Sequence, residues 1–92
     1  VKEGFIIITA IGKNRIGVLS EITTQIAKLN GNIMDISQKI LKDYFNLVMF
    51  VDISKSKVSF QTFKEKLENL GKIKKYNINV YHSKTFEYIH RI

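Results

Sequence analysis

The sequence contains no cysteine, no proline and no tryptophan. Without cysteine there is no disulfide and no thiolate metal site, which fits a reducing compartment. The cytoplasm is therefore the expected location. Without proline no cis-prolyl turn is available. No run approaches the roughly 20 apolar residues that a membrane helix needs. The N-terminus lacks the charged, apolar and small succession of a signal peptide. A soluble protein with no membrane partner is expected. Acidic residues are also scarce: 8 Asp and Glu stand against 15 Lys and Arg, leaving a formal charge of +7. Much of the lysine lies in the second half, at Lys55, Lys57, Lys64, Lys66, Lys72, Lys74, Lys75 and Lys84. Such a balance suits anionic partners, nucleic acid included, but it equally describes a solvated surface, and charge alone assigns no site.

What is present is enough for one domain. The chain has 92 residues, of which 45% are apolar, so one core can form and two cannot. A domain of this size leaves much of its surface unburied, which makes partner surface a natural supplement to its stability.

Patterning along the chain predicts the elements. Phe5 to Ile11, bounded by Gly4 and Gly12, is dense in β-branched and aromatic residues and reads as a buried strand. Leu19, Ile22, Ile26 and Leu29 recur at helical spacing, with polar residues between them. Asn30-Gly31 closes that helix, with Gly31 expected in the left-handed conformation. From Asn32 to Lys42, Met34, Ile36 and Ile40 alternate with Asp35, Ser37 and Lys39, as in a half-buried strand. Lys42 to Tyr44 is a short turn into a third strand, Phe45 to Ile53, which completes a hairpin. Ser59 is the expected N-cap of a second helix, with Val58 and Phe63 spaced as a hydrophobic staple. Phe60, Phe63, Leu67 and Leu70 line that helix, and Gly71 is expected to end it. Lys75 to His82 alternates as a fourth strand. Phe86, Ile89 and Ile92 suggest a helical turn over about 84–92.

The order βαββαβ, with right-handed crossovers, gives an α+β fold of ferredoxin-like type. It is a four-stranded antiparallel sheet with two helices on one face. Phe45, Leu47, Met49, Val51 and Ile53 share one face of the third strand, and Val48 and Phe50 the other. An apolar sheet face that no helix covers marks an interface, so a homodimer is expected.

The turn Gly12-Lys13-Asn14-Arg15-Ile16-Gly17 joins the first strand to the first helix. Its glycines permit close backbone approach. The N–H groups of Gly17, Val18 and Leu19 lie in the first helical turn, where intrahelical partners are lacking. With the helix dipole and the charges of Lys13 and Arg15, they favour a carboxylate or a phosphate. Ordinary connections of this kind that hold nothing share the same pattern. The Gly12-to-Gly17 spacing matches a P-loop, but Val18-Leu19 stands where Lys-Ser/Thr is required, so nucleotide hydrolysis is excluded.

The run Thr9-Ala10-Ile11-Gly12-Lys13-Asn14-Arg15-Ile16-Gly17-Val18-Leu19, followed by Asn30-Gly31-Asn32-Ile33-Met34-Asp35-Ile36-Ser37-Gln38, resembles an ACT domain. The likeness is strongest to a small stand-alone, functionally uncharacterised ACT-domain family of prokaryotes. The ending Phe86-Glu87-Tyr88-Ile89-His90-Arg91-Ile92 is similar to that family's C-terminus. A weaker likeness reaches the ACT segments of glycine-cleavage regulators and formyltetrahydrofolate deformylases. The resemblance covers nearly the whole chain, so residues 1–92 are expected to be a single ACT domain.

The resemblance implies a regulatory domain that senses an amino acid or similar small effector and controls an enzyme or transcription regulator. It implies a ligand held between the first turn of one subunit and the second strand of a neighbour. Carried over by position, the ligand residues are Asn14, Arg15, Ile16, Gly17, Val18 and Leu19, then Asn32, Ile33, Met34, Asp35 and Gln38. The N–H groups around Gly17 would hold the effector's carboxylate. Asp35, or a carbonyl near Asn32, would accept from its ammonium group, and Met34 or Ile33 would shape the side-chain pocket. Most ACT proteins carry an attached catalytic or DNA-binding domain, and none is expected here.

Catalysis and cofactors have little support. His82 and His90 have no Cys or Glu at ligand spacing, and a zinc site needs three or four convergent ligands. No nucleophile elbow or carboxylate pair links the Ser, His and Asp residues. Asp52 is expected to shape the loop that follows it. RNA-recognition modules share the element order and stack bases on aromatics of their central strands. Here Asp43 replaces a required glycine and Asn46 a stacking aromatic, which sets RNA binding behind effector binding. An assembly module without a ligand is the third reading.

Overall fold

Period-two patterning produces the sheet and 3.6-residue patterning the helices, and the two together leave one shared core. The computed structural model describes residues 4–84. Its elements are β1 (Phe5–Lys13), α1 (Val18–Lys28), β2 (Asn32–Leu41), β3 (Tyr44–Asp52), α2 (Phe60–Lys74) and β4 (Asn77–His82). The strands form one antiparallel sheet in the order β2-β3-β1-β4. This is the expected βαββαβ, ferredoxin-like arrangement. The turn expected over 84–92 falls, beyond Lys84, outside the described residues.

The core lies between the sheet and the helices. Ile6, Ile8 and Ala10 of β1 face it, with Phe45, Leu47, Met49 and Val51 of β3 and Ile78 and Val80 of β4. Each helix contributes residues four apart: Val18, Ile22 and Ile26 from α1, and Phe63, Leu67 and Gly71 from α2. Complete burial of a side chain such as Phe63 or Phe45 stabilises by about 1.5–3 kcal/mol. On the opposite face, Ile7 stands in register between Phe50 and Tyr81 and is buried, whereas Ile11 and Phe50 are exposed.

Strand β2 departs from the expected half-buried pattern. It is exposed along both faces, with only Ile33 partly covered. As an edge strand it is left largely uncovered by the helices. A bulge between Ile33 and Asp35 inserts Met34 as an extra residue. The insertion reverses the alternation that follows. Ile36, Gln38 and Ile40 therefore join Ile33 on the helix side, opposite Met49, Leu47 and Phe45. Asp35, Ser37 and Lys39 fall on the other face.

Two glycines act differently from expectation. After α1 the left-handed residue is Asn30, at φ 59°, not Gly31. Gly31 is needed for space, since a Cβ there would meet Ile26 at 2.8 Å and Phe63 at 3.0 Å. Gly71 lies within α2, which runs on to Lys74 and ends at left-handed Lys75. The Ser59 cap forms as expected, its hydroxyl accepting from the Thr62 N–H at 3.1 Å. Asp52 accepts from the Ser54 N–H at 2.8 Å and so shapes its loop.

Candidate functional site

Strand β1 extends to Lys13, so Gly12 lies inside the strand rather than in the turn. A Cβ on Gly12 would sit 2.5 Å from the Tyr76 Cβ, and the glycine allows Tyr76 to close over β1. The Asn14 N–H donates to the Asp43 carbonyl at 2.6 Å, tying the β1–α1 turn to the β2–β3 turn. Gly17, at φ 92°, then swings the chain into α1.

That left-handed step brings the Arg15 carbonyl back towards the Val18 N–H, at 3.4 Å, and the first helical bond runs from the Glu21 N–H to the Gly17 carbonyl. At the entry to α1, the N–H groups of Gly17, Leu19 and Ser20 have no backbone partner among the described residues. The expected set of Gly17, Val18 and Leu19 is thus shifted at one member. Three donors at the positive end of a helix remain, an arrangement that receives an anion.

A cleft of about 480 Å³ opens beside these donors, lined by Asn14, Arg15, Gly17, Val18, Leu19, Ser20, Thr23 and Gln38. Six expected ligand residues therefore meet within one chain: Asn14, Arg15, Gly17, Val18, Leu19 and Gln38. The β2 bulge matters here, because it turns Gln38 to the helix side. Val18 is 3% exposed, so its side chain is core and only its backbone can face a ligand. Ile16 is 99% exposed and projects from the turn.

Asn32, Ile33, Met34 and Asp35 do not join this cleft. From Gln38 to Asn32 the strand covers about 20 Å. Asn32 lines a separate hollow with Ala27, Asn30 and Gly31 at the far end of α1. Asp35 accepts from the Ile36 N–H at 2.8 Å, and Asn32 reaches the Met34 sulfur at 3.4 Å. Ser20 and Thr23, which the sequence reading did not select, line the cleft from α1. Their three-residue spacing on the helix was the available signal.

Beside the cleft, the Arg15 guanidinium makes two hydrogen bonds to the Glu21 carboxylate, at 3.0 and 2.9 Å. It also lies over the Tyr76 ring, 5.9 Å from its centroid. The Tyr76 hydroxyl donates to Glu21 at 3.2 Å, and the Lys74 ammonium stands 3.9 Å from the same carboxylate. Hydrogen bonding to Arg15 holds the Glu21 carboxyl below its ordinary range, against the opposing effect of burial. Burial, and then the bond to Glu21, pushes the Tyr76 phenol up to about 12. The phenol therefore stays a donor at neutral pH.

His82 packs edge-on against Phe60 at 5.7 Å and accepts from the Lys84 N–H. No group of three or more His, Cys, Asp or Glu among the described residues could hold a metal. No helix among them is long and apolar enough to cross a membrane.

A profile of the ACT domain family matches residues 4–81. The chain belongs to the ACT-domain family. A UPF0237 protein of Methanocaldococcus jannaschii is 40% identical over 87 residues, covering 95% of this chain and 97% of its own. An ACT domain protein from Streptococcus pneumoniae superposes with a TM-score of 0.80 at 32% identity, covering 94% of this chain and 97% of its own. The fold alone is shared with a formyltetrahydrofolate deformylase from Pseudomonas syringae, at a TM-score of 0.79 and 14% identity. There the likeness takes in 86% of this ACT domain and 27% of the deformylase. The fold thus occurs both in chains of this size and as one part of a larger enzyme.

Proposed function

We propose that this ACT domain is a non-enzymatic, cytoplasmic regulatory module that binds an amino acid or similar carboxylate at the β1–α1 turn and modulates a partner protein. The observation that carries this reading is the cleft lined by Gly17, Leu19 and Ser20, whose N–H groups lack a backbone partner among the described residues, together with Gln38. The N–H groups receive the carboxylate, and the Gln38 side-chain carbonyl offers an acceptor for the ammonium group from the β2 side of the cleft.

A second copy completes the site through β2. This strand is ten residues long, exposed except at Ile33, and paired among the described residues only with β3. An edge of that kind invites pairing with another strand. Antiparallel pairing of two β2 strands would set the neighbour's Ile33 to Ile36 segment close to Gln38. It would also cover Ile36 and Ile40, which are 41% and 56% exposed. Asp35 lies on the helix-free face, so a neighbour's main-chain carbonyl fits the ammonium group better than the Asp35 side chain does.

A ligand that binds only the folded state raises the melting temperature. The test is a thermal-shift panel of the twenty amino acids at millimolar concentration, with light scattering on the same samples. A positive shift with one or a few amino acids, on a dimer, supports the reading. No shift with any of them removes the effector, and a monomeric mass at micromolar concentration removes the second subunit.

A further inference from the structure

Arg15 belongs to the cleft by position but is directed elsewhere by its bonds. Its planar fork meets both oxygens of Glu21, and a guanidinium engaged in this way cannot offer the same pair to a second carboxylate. Four side chains from separate parts of the chain gather at this point: Arg15 from the turn, Glu21 from α1, Lys74 from the end of α2, and Tyr76 before β4.

Tyr76 is the fixed member. It is 7% exposed, its ring meets Phe45 edge-on at 5.6 Å, and its N–H donates to the Gly71 carbonyl at 2.9 Å. Glu21 is therefore anchored from the core side and holds Arg15 on its outer side. Outside the Arg15 side chain, the turn is tied by the bond from the Asn14 N–H to the Asp43 carbonyl and by the longer one from the Val18 N–H to the Arg15 carbonyl. Gly17 has nothing within 4 Å of where a Cβ would stand, so side-chain packing does not restrain it.

We propose that Glu21 positions the β1–α1 turn by engaging Arg15 from within the chain, so that an anion in the cleft is received by the N–H groups of Gly17, Leu19 and Ser20 and not by Arg15. This deepens the ligand reading above and rests on it for the cleft, but the positioning role stands by itself. It makes Arg15 a positioning residue rather than a ligand contact. Its consequence for ligand class is direct. With Arg15 neutralised by Glu21, the cleft suits a zwitterionic amino acid. With Arg15 released, it suits a phosphate or another dianion.

The experiment uses the full chain, Glu21→Gln, and the double variant Arg15→Gln/Glu21→Gln. Without any ligand, proton–nitrogen NMR of the wild type should resolve the Arg15 guanidinium signals, because a two-point ion pair stops their rotation. In Glu21→Gln those signals should average and the Ile16 and Gly17 amides should shift, with the amides of Ile6 and Val51 unmoved. Averaged Arg15 signals in the wild type, or an unchanged Gly17 amide in the variant, would overturn the positioning role.

Inorganic phosphate is then titrated into each protein and followed at the Gly17, Leu19 and Ser20 amides. Glu21→Gln should bind it about tenfold more tightly than the wild type, and the double variant should lose that gain. A merely structural role for Glu21 predicts weaker binding instead. Equal phosphate binding by wild type and Glu21→Gln would overturn the claim that Glu21 withholds Arg15 from an anion in the cleft. A failed amino-acid panel would remove the effector reading and leave both of these results to decide the role of Glu21.

Discussion

Replacing Gly71 with alanine sets two effects of opposite sign against each other. Gly71 lies inside α2, where alanine is favoured over glycine by about 1 kcal/mol when the site is open. Here the site is closed. The new Cβ would stand 2.5 Å from the Tyr76 carbonyl oxygen, 3.2 Å from Ile78 Cγ1 and 3.3 Å from the Ile78 N. Two of these neighbours are backbone, so no rotamer change relieves the clash. The connection into β4 must move, and it carries the bond from the Tyr76 N–H to the Gly71 carbonyl. Overpacking against backbone that cannot turn aside falls at the upper end of the usual range, about 2–3 kcal/mol. After the propensity gain, the net destabilisation should be about 1–2 kcal/mol. For a domain of this length that lowers the Tm by roughly 4–16 °C. The assay is thermal and urea unfolding by circular dichroism at one fixed protein concentration, because association shifts the midpoint. Asn69→Ala, at an exposed position of the same helix, is the control and should be neutral or slightly stabilising. If Gly71→Ala matches or exceeds the wild type in stability, the close approach of α2 to β4 is not what requires glycine, and the reasoning fails.

Phe63 is fully buried between α2 and the sheet, so Phe63→Ala should cost about 3–5 kcal/mol in urea unfolding, and a loss below 1 kcal/mol would contradict its central place. Ser59→Ala removes the cap on Thr62 and should cost about 1 kcal/mol with little change in m-value. Glu21 has a carboxyl held below its ordinary value by Arg15. Its contribution is therefore present above the unfolded value of 4.5 and is lost as pH falls through the lower folded value, so the acid limb of the wild-type stability profile should flatten in Glu21→Gln. Tyr76 has the opposite sign. Its phenol rises from 10.0 to about 12, so its contribution is complete below pH 10 and is lost as pH rises through about 12. Tyr76→Phe should remove that alkaline decline in a stability titration from pH 8 to 12.

How much of this was legible depended on the range of each interaction. The strands and helices follow from side-chain periodicity, which lies within a few residues of sequence. The Ser59 cap and the Asp52 turn are local bonds of two or three residues, and both were readable. The glycines were harder. Gly31 and Gly71 look like helix stops by their position, yet each is required by a neighbour from a distant part of the chain. In the site, the turn from Asn14 to Leu19 was expected, but Gln38 was expected from a neighbouring subunit and instead lines the cleft of its own chain. Glu21 was passed over as one polar residue on an amphipathic helix, because its partner Tyr76 is 55 residues away.

The amino-acid sequence by itself determined the order of elements, the sheet-and-two-helix class, the absence of disulfide chemistry and the donors at the start of α1. These depend on composition and short-range pattern. Only the tertiary structure decided that β2 is a bare edge, that a bulge at Met34 turns Gln38 towards the cleft and Asp35 away from it, and that Arg15 is held by Glu21. Each depends on which strands become neighbours and on which side chains from separated elements meet across the core, and no local pattern encodes that geometry.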